Sequence, residues 1–167
     1  MKTVRASLII AAYNQLKYTE LCIDSILRDQ DRIPYEIIVI DNGSGDGTRA
    51  YLEQKAKDLQ GSRDRLLPIF NEKNLGVAPA WNQGLRLSTG QVLGILNNDI
   101  RVSLTWFRSL IWALDHHKLA LISPFAATGE LNYDFDSRAA QFTKQNLCKL
   151  WKDYDFCAAV FPRSTFD

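Results

Sequence analysis

Uninterrupted hydrophobic runs alternate along the chain with segments in which apolar residues recur three and four positions apart. Runs at 4–12, 35–40, 65–70 and 91–97 are typical of strands that are buried on both faces of a sheet. Helical spacing is carried by these apolar residues: Leu21, Cys22, Ile26 and Leu27; Leu52, Ala56 and Leu59; and Trp106, Phe107, Leu110, Ile111 and Leu114. Because strands that alternate with helices are joined by right-handed crossovers, we predict an α/β fold with a mainly parallel sheet in a single domain.

Three residues indicate where the predicted helices begin. Asp46 is expected to cap the second helix, and Ser103 is expected to cap the helix that carries Trp106. Pro79 is expected in the first turn of a helix between the third and fourth strands, where its missing N–H costs little.

The third strand and the segments after the last predicted helix carry weaker signals. Pro68 predicts that the strand at 65–70 lies at an edge of the sheet. A short strand is predicted at 119–123, and a final strand is predicted within "DFCAAVFP" at 155–162. Between Pro124 and Asp136 aromatic and acidic residues are mixed, and no regular element is predicted there.

Composition and charge exclude several functional classes. The 167 residues are 46% hydrophobic, enough for one buried core, and a formal net charge of +1 gives no long-range attraction to nucleic acid. No apolar run approaches the ~20 residues of a membrane-spanning helix, and no signal-peptide cleavage site follows the first run. Cys22, Cys148 and Cys157 form no CxxC pair, so we expect a reduced, cytoplasmic setting, although a longer form could be peripheral to a membrane.

Polar side chains follow each of the first four predicted strands. In order, the strand ends read Tyr13-Asn14, Asp41-Asn42, Asn71 with Asn74, and Asn97-Asn98-Asp99. Loops are often polar because Asn and Asp favour turns. Four such ends in succession nevertheless favour a binding site, because ligands of open α/β sheets bind at the carboxyl ends of the strands.

The segment "VIDNGSGDGT", at 39–48, sets an acid and three glycines directly after a hydrophobic run. A dinucleotide fingerprint would need glycines after the first strand, which ends in "AAYN", and a P-loop would need a GK[ST] that is absent. A carboxylate repels phosphate but accepts hydrogen bonds from a nucleobase N–H or a ribose hydroxyl. We therefore predict that Asp41 contacts a nucleoside, which the glycines allow the backbone to approach closely.

Asp99 ends the buried run "ILNND" among amides rather than cations. A lone carboxylate with oxygen-bearing neighbours suits Mg²⁺ or Mn²⁺, which bind through one or two carboxylates plus substrate phosphates. A capping or loop aspartate is the alternative. His116 and His117 close an amphipathic helix, and adjacent positions do not share a helical face, so a solvated helix end is favoured over metal binding there.

Three segments, taken in order and with their spacing, resemble the inverting glycosyltransferase family 2 of the GT-A fold. "SLIIAAYNQ" resembles the family's opening strand and nucleotide-contacting turn, and "EIIVIDNGSGDGT" resembles its nucleoside-binding strand and loop. "NLGVAPAWNQGLRLSTGQVLGILNND" resembles its Asn-x-Gly helix and the metal-binding DxD strand that follows. The resemblance covers nearly the whole chain.

The resemblance implies that Tyr13, Asn14 and Asp41 surround the base and ribose of a sugar nucleotide. The complete implied nucleotide-binding set is Tyr13, Asn14, Asp41, Asn42, Ser44, Asn74, Gly76, Asn82, Asn97 and Asn98. Asp99 would hold a divalent metal, Mg²⁺ or Mn²⁺. The first Asp of DxD is Asn97 here, as in members that resemble rhamnosyltransferases, which implies weaker metal binding and a donor that could be dTDP-linked rather than UDP-linked.

The implied reaction is direct displacement at the anomeric carbon of the donor. A base would deprotonate a hydroxyl of a saccharide or glycolipid acceptor, which attacks opposite the departing nucleoside diphosphate. "VFPRSTFD" resembles the family segment that precedes a Gly-Phe-Asp-rich turn, and the family's base lies beyond that segment. We therefore expect a donor half at 1–100, an incomplete acceptor half at 101–167, an unknown base beyond Asp167, and a truncated chain that binds donor without transferring sugar. Apolar surface near 156–161 would favour homo-oligomers.

Two alternatives stay open at this point. A noncatalytic nucleotide-sugar-binding domain would bind the same donor without turnover. A nucleotidyltransferase would need a loop rich in glycine and Arg or Lys after the first strand to hold a triphosphate, and "AAYNQLKY" lacks such a loop.

Overall fold

The computed structural model describes residues 6–28, 33–124 and 158–166, together with Ser137 and Gln141. Strands and helices alternate along this part of the chain. They are β1 (Ala6–Ala12), α1 (Leu16–Leu27), β2 (Tyr35–Asp41), α2 (Thr48–Asp58), β3 (Arg65–Phe70), α3 (Val77–Leu87), β4 (Val92–Asn97), α4 (Trp106–His117) and β5 (Ala158–Pro162), followed by a 3₁₀ turn at Arg163–Thr165. The predicted order of elements is confirmed over these residues except for the strand at 119–123, whereas Cys148 and Cys157 lie outside them.

The strands form one sheet in the order β3-β2-β1-β4-β5. β1 pairs in parallel with both β2 and β4, β2 pairs in parallel with β3, and β5 alone runs antiparallel, against β4. The predicted α/β fold with a mainly parallel sheet is confirmed, and Pro68 does lie on an edge strand. Because the chain moves from β1 to one side and later returns to its other side, the strand order reverses at β1, where open sheets bind ligands.

The core occupies both faces of the two central strands, whose described residues are almost all buried. Alternate side chains point to opposite faces, so Leu8 packs with residues of α1, α2 and α4 while Ile9 faces α3. This two-sided burial explains why the strands appear in the sequence as continuous hydrophobic runs rather than alternating patterns. Among the described residues, no helix combines the length and apolar character that crossing a bilayer requires.

Helix α3 approaches β1 closely at Gly84, where a larger residue would collide with a side chain of β1. A Cβ at Gly84 would lie 2.3 Å from Cγ2 of Ile9, a fully buried side chain that has no space to move. We expect Gly84→Ala to lower the free energy of unfolding by about 1–3 kcal/mol, despite the better helix propensity of alanine. Urea unfolding measures the change, with Gly45→Ala as the control because nothing lies within 4 Å of a Cβ there. Unchanged or increased stability of Gly84→Ala would contradict the close packing.

The strand predicted at 119–123 is wrong, because the structure has only an isolated bridge between Ile122 and Val160. The two residues exchange backbone hydrogen bonds of 2.9 and 2.8 Å. The next pair along an antiparallel ladder would need an N–H from Pro124, which has none. The hydroxyl of Ser123 instead donates to the carbonyl of Ala158 at 2.7 Å, so the pairing stops after one bridge.

Both predicted helix caps need correction. Ser103 does not cap α4, since Thr105 occupies the N-cap position and Ser103 contributes only its carbonyl, which accepts from the Trp106 amide at 3.3 Å. Asp46 lies one residue before the N-cap of α2, where Gly47 has a φ of 96°. Pro79 does lie in the first turn of α3, as predicted.

The carboxylate of Asp46 connects the starts of two helices. Its Oδ1 accepts hydrogen bonds from the amide and hydroxyl of Thr48, at 3.1 and 2.6 Å. Its Oδ2 accepts from the Leu16 amide, the first of α1, at 2.8 Å. Although some burial opposes it, these hydrogen bonds hold the pKa of the Asp46 carboxyl below its usual value. Asp46 therefore joins α1 to α2 rather than capping α2 alone.

Candidate functional site

The carboxyl ends of β1, β2 and β4 lie side by side at the position where the strand order reverses. Ala12 pairs with Asp41 on one side, and Ala11 pairs with Asn97 on the other. The loops that leave these three strands therefore start from one edge of the sheet. The predicted site residues of all three strand ends belong to these loops or to the last positions of the strands.

Asn14 joins the loop after β1 to the glycine loop after β2. Its backbone is left-handed, with a φ of 54°, and Gln15 follows with a φ of 62°. In this conformation the backbone N–H of Asn14 donates to Oγ of Ser44 at 2.7 Å, and the side-chain Oδ1 of Asn14 accepts from the backbone N–H of Gly45 at 2.9 Å. Asparagine tolerates the left-handed region better than most residues, which explains the residue type at this turn.

Asp41 is 2% exposed and has two different carboxylate oxygens. Oδ1 accepts hydrogen bonds from the amide and hydroxyl of Ser44, at 3.0 and 2.5 Å. Oδ2 has no hydrogen-bond partner in the described part of the chain. It retains some contact with solvent, unlike a fully enclosed polar atom. The loop thus fixes the carboxylate through one oxygen, while no group of the described residues occupies the other.

Gly43 lets the same loop pass close to the loop after β3. Its φ is 81°, and a Cβ there would lie 3.1 Å from the backbone of Lys73. Because backbone cannot move aside as a flexible side chain can, only glycine fits here without rearrangement. Gly43 therefore allows a close approach to the protein's own backbone, whereas the approach of this loop to a nucleoside stays a prediction.

Asn42 serves as an internal connection. It is 3% exposed, its Nδ2 donates to the Gly76 carbonyl at 3.2 Å, and its Oδ1 accepts from Nδ2 of Asn71 at 2.8 Å. Asn71 also donates to Oε1 of Gln83 at 3.0 Å, and Oδ1 of Asn74 accepts from the Gly76 amide at 2.9 Å. The loop after β3 and the start of α3 are therefore held against the end of β2.

The turn after β4 carries Asn98 and Asp99. Nδ2 of Asn98 donates to Oγ1 of Thr19 at 3.0 Å and to the Asn14 carbonyl at 3.4 Å. Asp99 is exposed, and its carboxylate has no hydrogen-bond partner within the described residues. No group of three or more His, Cys, Asp or Glu side chains converges in this part of the chain. A divalent ion held by Asp99 would therefore take its other ligands from substrate phosphates and water, which suits Mg²⁺ and Mn²⁺.

Hydrogen bonds bring most of the predicted site residues into two groups. The first contains Asn14, Asp41, Ser44 and Asn98, and the second contains Asn42, Asn74 and Gly76. Tyr13 and Asn82 are exposed and belong to neither group, and Asn97 contributes only its backbone carbonyl. Contact between each of these residues and a nucleotide stays a prediction.

His116 and His117 occupy the last turn of α4, as predicted. The ring of His116 stacks on exposed Trp112, with 4.6 Å between ring centroids and 11° between planes. The ring of His117 meets Trp112 at a steeper angle of 87°. The two imidazoles thus form an aromatic cluster at the helix end.

Sequence reasoning missed several polar side chains that support the strand ends. Gln83 reaches Asn71 from α3, and three buried side chains of α1 face the turn after β4: Thr19, Cys22 and Ser25. Burial, together with the nearby charge of Asp99, raises the pKa of the Cys22 thiol to about 12, so the sulfur is protonated near neutral pH. The available signal was the spacing of three small polar residues at every third position of an amphipathic helix.

Comparison with known proteins relates this arrangement to one sequence family. Glycosyl transferase family 2 matches residues 7–166. The uncharacterized glycosyltransferase EpsJ from Bacillus subtilis is 30% identical over 116 residues, which are 70% of this chain and 32% of EpsJ. The glycosyltransferase AglE from Haloferax volcanii is 29% identical over 101 residues, which are 60% of this chain and 32% of AglE. The chain spans about a third of the length of these curated relatives.

Solved structures share the fold. The mannosyltransferase PcManGT from Pyrobaculum calidifontis, in complex with GDP-Man and Mn²⁺, has a TM-score of 0.72 at 20% identity and covers 98% of this chain and 46% of its own. TarS 1-349 from S. aureus, in complex with UDP, has a TM-score of 0.61 at 19% identity and covers 75% of this chain and 38% of its own. Since the family match extends over nearly all 167 residues, the chain belongs to glycosyl transferase family 2 and has the GT-A fold.

Proposed function

We propose that this chain binds a nucleoside-diphosphate sugar and belongs to an enzyme that transfers the sugar, with inversion, to a hydroxyl of a saccharide or glycolipid. The observation that carries the proposal is the carboxylate of Asp41, fixed through Oδ1 by Ser44 and without a hydrogen-bond partner at Oδ2 among the described residues. Such an oxygen accepts a hydrogen bond from a base N–H or a ribose hydroxyl without reorganising first. Its place at the reversal of strand order, where α/β sheets bind ligands, supports the same assignment.

We assign each part of the donor to a part of the site. The nucleoside would lie against Asp41 and exposed Tyr13, between the loops that Asn14 joins. The diphosphate and sugar would extend towards the loop of Asn74 and Gly76, where Asn82 is exposed on the first turns of α3. Residues 1–100 would then form the donor half, and 101–167 would begin the acceptor half.

The proposed reaction requires charge stabilisation on the leaving group. As the acceptor oxygen attacks the anomeric carbon, the bond to the donor phosphate breaks and negative charge grows on the nucleoside diphosphate. A divalent ion, when bound, supplies Lewis-acid stabilisation of that charge. Exposed Asp99 would hold the ion, and the Mn²⁺ bound to PcManGT supports this choice of metal. The residues of this chain position the donor, while the identity of the base is unknown.

The nucleoside assignment is tested by Asp41→Asn. Asparagine keeps an oxygen for the hydrogen bonds from Ser44 but replaces the open carboxylate oxygen by an NH₂ group, which cannot accept. We expect nucleoside-diphosphate affinity to fall about 10- to 100-fold, with or without Mn²⁺, because a hydrogen bond to a charged group is lost. Calorimetry with UDP, dTDP and GDP measures the change and also identifies the preferred base.

Asp58→Asn is the matched control, since Asp58 is an exposed residue at the end of α2 whose Oδ1 only accepts from Gln54. The Asp58→Asn variant should bind nucleoside diphosphate with the same affinity as the wild type. Unchanged affinity in Asp41→Asn would remove the nucleoside from this position. Release of nucleoside diphosphate across a panel of saccharide and glycolipid acceptors would exclude the noncatalytic alternative, whereas donor binding without release is expected under both.

A further inference from the structure

Three buried polar side chains form a stripe along α1. Thr19 and Cys22 are fully buried and Ser25 is 2% exposed. Their spacing of three residues places them on one side of the helix, over two successive turns. We call these three residues the α1 polar face. Because buried polar groups need hydrogen-bond partners, this face is expected to bond to the segment packed against it.

The α1 polar face contacts the chain on both sides of Asp99. Oγ1 of Thr19 accepts from Nδ2 of Asn98 at 3.0 Å. The thiol of Cys22 donates to the Asn97 carbonyl at 3.7 Å, and the Ile100 amide approaches the same sulfur.

Ser25 completes these contacts at the far end of the stripe. Its Oγ accepts from the Val102 amide at 3.1 Å and donates to the Cys22 carbonyl at 2.8 Å, so the hydroxyl both donates and accepts. Contacts therefore reach 97, 98, 100 and 102, and they leave out Asp99 in the middle.

The segment from Asn98 to Thr105 belongs to no helix or strand, so sheet and helix ladders do not fix its backbone. Hydrogen bonds from a neighbouring helix supply the missing restraint. Asp99, by contrast, is exposed and has no hydrogen-bond partner within the described residues. The turn is thus held at its flanks while its single carboxylate stays available.

We propose that the α1 polar face is a positioning surface that orients the turn so that the Asp99 carboxylate is directed towards a divalent cation bound with the donor diphosphate. This inference rests on the proposed function of Asp99 as the metal-binding residue. Thr19 and Ser25 are positioning residues, since they act through the turn and do not touch the ion. A lone carboxylate depends on such support, because no second protein carboxylate helps to fix the position of the ion. Mutation of residues that support metal ligands typically lowers metal affinity 10- to 100-fold.

The test compares Thr19→Val with Thr19→Ser. Valine keeps the shape of threonine but leaves the Asn98 amide without its partner on α1, whereas serine keeps the hydroxyl. Calorimetry with UDP, or with whichever of UDP, dTDP and GDP binds most tightly, is performed with and without Mn²⁺. The Mn²⁺ enhancement is the ratio of nucleoside-diphosphate affinities with and without Mn²⁺. We expect Thr19→Val to reduce this ratio about tenfold and to leave the metal-free affinity within about twofold of the wild type, while Thr19→Ser behaves as the wild type.

A second variant and a matched control separate positioning from folding. Ser25→Ala should reduce the Mn²⁺ enhancement in the same way and accelerate hydrogen exchange of the Val102 amide in the metal-free protein. Ser88→Ala is the control, because Ser88 is also a buried hydroxyl that donates to a helix carbonyl, that of Leu85 at 2.7 Å, but it lies at the opposite end of the sheet. The Ser88→Ala variant should have a lower free energy of unfolding and an unchanged Mn²⁺ enhancement.

The outcomes distinguish this inference from the proposed function. A wild type that binds no nucleoside diphosphate would overturn the proposed function and this inference with it. If the wild type shows an Mn²⁺ enhancement that Asp99→Ala removes but Thr19→Val and Ser25→Ala retain, the positioning role is wrong and the proposed function stands. An equal loss in Ser88→Ala would reduce the effect to general destabilisation and would also overturn the positioning role.

Discussion

Asp99→Ala should abolish the Mn²⁺ enhancement of nucleoside-diphosphate binding and leave weak, metal-free binding of the nucleoside. The carboxylate is exposed and has no hydrogen-bond partner in the described part of the chain, so its removal costs the fold little. A divalent ion that shares its coordination with the diphosphate loses its one carboxylate ligand, and the ratio of affinities with and without Mn²⁺ should approach about one. Calorimetry under both conditions measures that ratio.

Asn97→Asp makes the complementary change. It adds a second carboxylate two residues before Asp99 and should strengthen Mn²⁺ binding, because Mg²⁺ and Mn²⁺ favour carboxylate oxygens over amide oxygens. Asp115→Ala removes an exposed carboxylate from α4 and serves as the control with unchanged metal response. An enhancement that survives in Asp99→Ala would place the ion on other residues.

The largest stability effect is expected at Glu36, at the opposite end of the sheet. This carboxylate, on β2, is fully buried and accepts four hydrogen bonds from groups within the described ranges. Ser7 donates at 2.5 Å, the amide and hydroxyl of Thr89 donate at 2.8 and 2.9 Å, and the guanidinium of Arg65 donates as well. Glu36→Ala should lower the free energy of unfolding by about 3 kcal/mol, because buried donors lose their acceptor.

Most of that loss comes from Ser7 and Thr89 rather than from the ion pair. The side chain of Arg65 is 53% exposed, so solvent screens its attraction to Glu36 and can hydrate it in the variant. Urea unfolding measures the change, and Glu53→Gln on the exposed side of α2 is the control, expected to remain within about 0.5 kcal/mol of the wild type. A change equally small in Glu36→Ala would show that the network contributes little.

Glu36 also predicts how stability depends on pH. Burial alone would raise the pKa of this carboxyl, but hydrogen bonds from Ser7, Thr89 and Arg65 outweigh burial and hold the pKa below its usual value. A depressed pKa in the folded state means that the stabilisation is present above the unfolded pKa of about 4.3 and is lost as pH falls through the folded pKa. The stability difference between wild type and Glu36→Gln should therefore narrow below about pH 4.3, and a constant difference would contradict this account.

The structure separates the residues that stabilise the sheet from those predicted to bind the donor. At the amino ends of the strands, the Gly90 amide donates to Oγ of Ser7 at 2.8 Å, and the side chain of Arg163 donates to the Gly90 carbonyl at 2.7 Å and to Oγ of Ser88 at 2.8 Å. This network ties the 3₁₀ turn after β5 to the start of β4. The loops with Asp41 and Asp99 leave the carboxyl ends instead, so variants at the two ends should change stability and binding separately.

Much of this protein was predictable from local sequence patterns. The order of strands and helices follows from hydrophobic periodicity, because burial on two sheet faces or on one helix face determines which positions are apolar. Polar residues such as Asp41 and Asp99 at the ends of hydrophobic runs predicted the edge of the sheet that carries the candidate site, since parallel strands share their carboxyl end. The three segments that resemble glycosyltransferase family 2 predicted the family that the comparison confirms.

Only the tertiary structure decided which of these polar groups are hydrogen-bonded to distant parts of the protein. Asn42 and Asn98 are the neighbours of Asp41 and Asp99 in the sequence, yet their side-chain amides bind Gly76 and Thr19, which lie 34 and 79 residues away along the chain. The partner of Ser123 was equally unpredictable. Its hydroxyl donates to the Ala158 carbonyl, to which Pro124 cannot donate because it has no N–H, and the predicted strand is not formed. Periodicity reports burial within one element, whereas the partner of a polar group depends on which distant segments the fold brings within about 3 Å, and a local pattern contains no record of that distance.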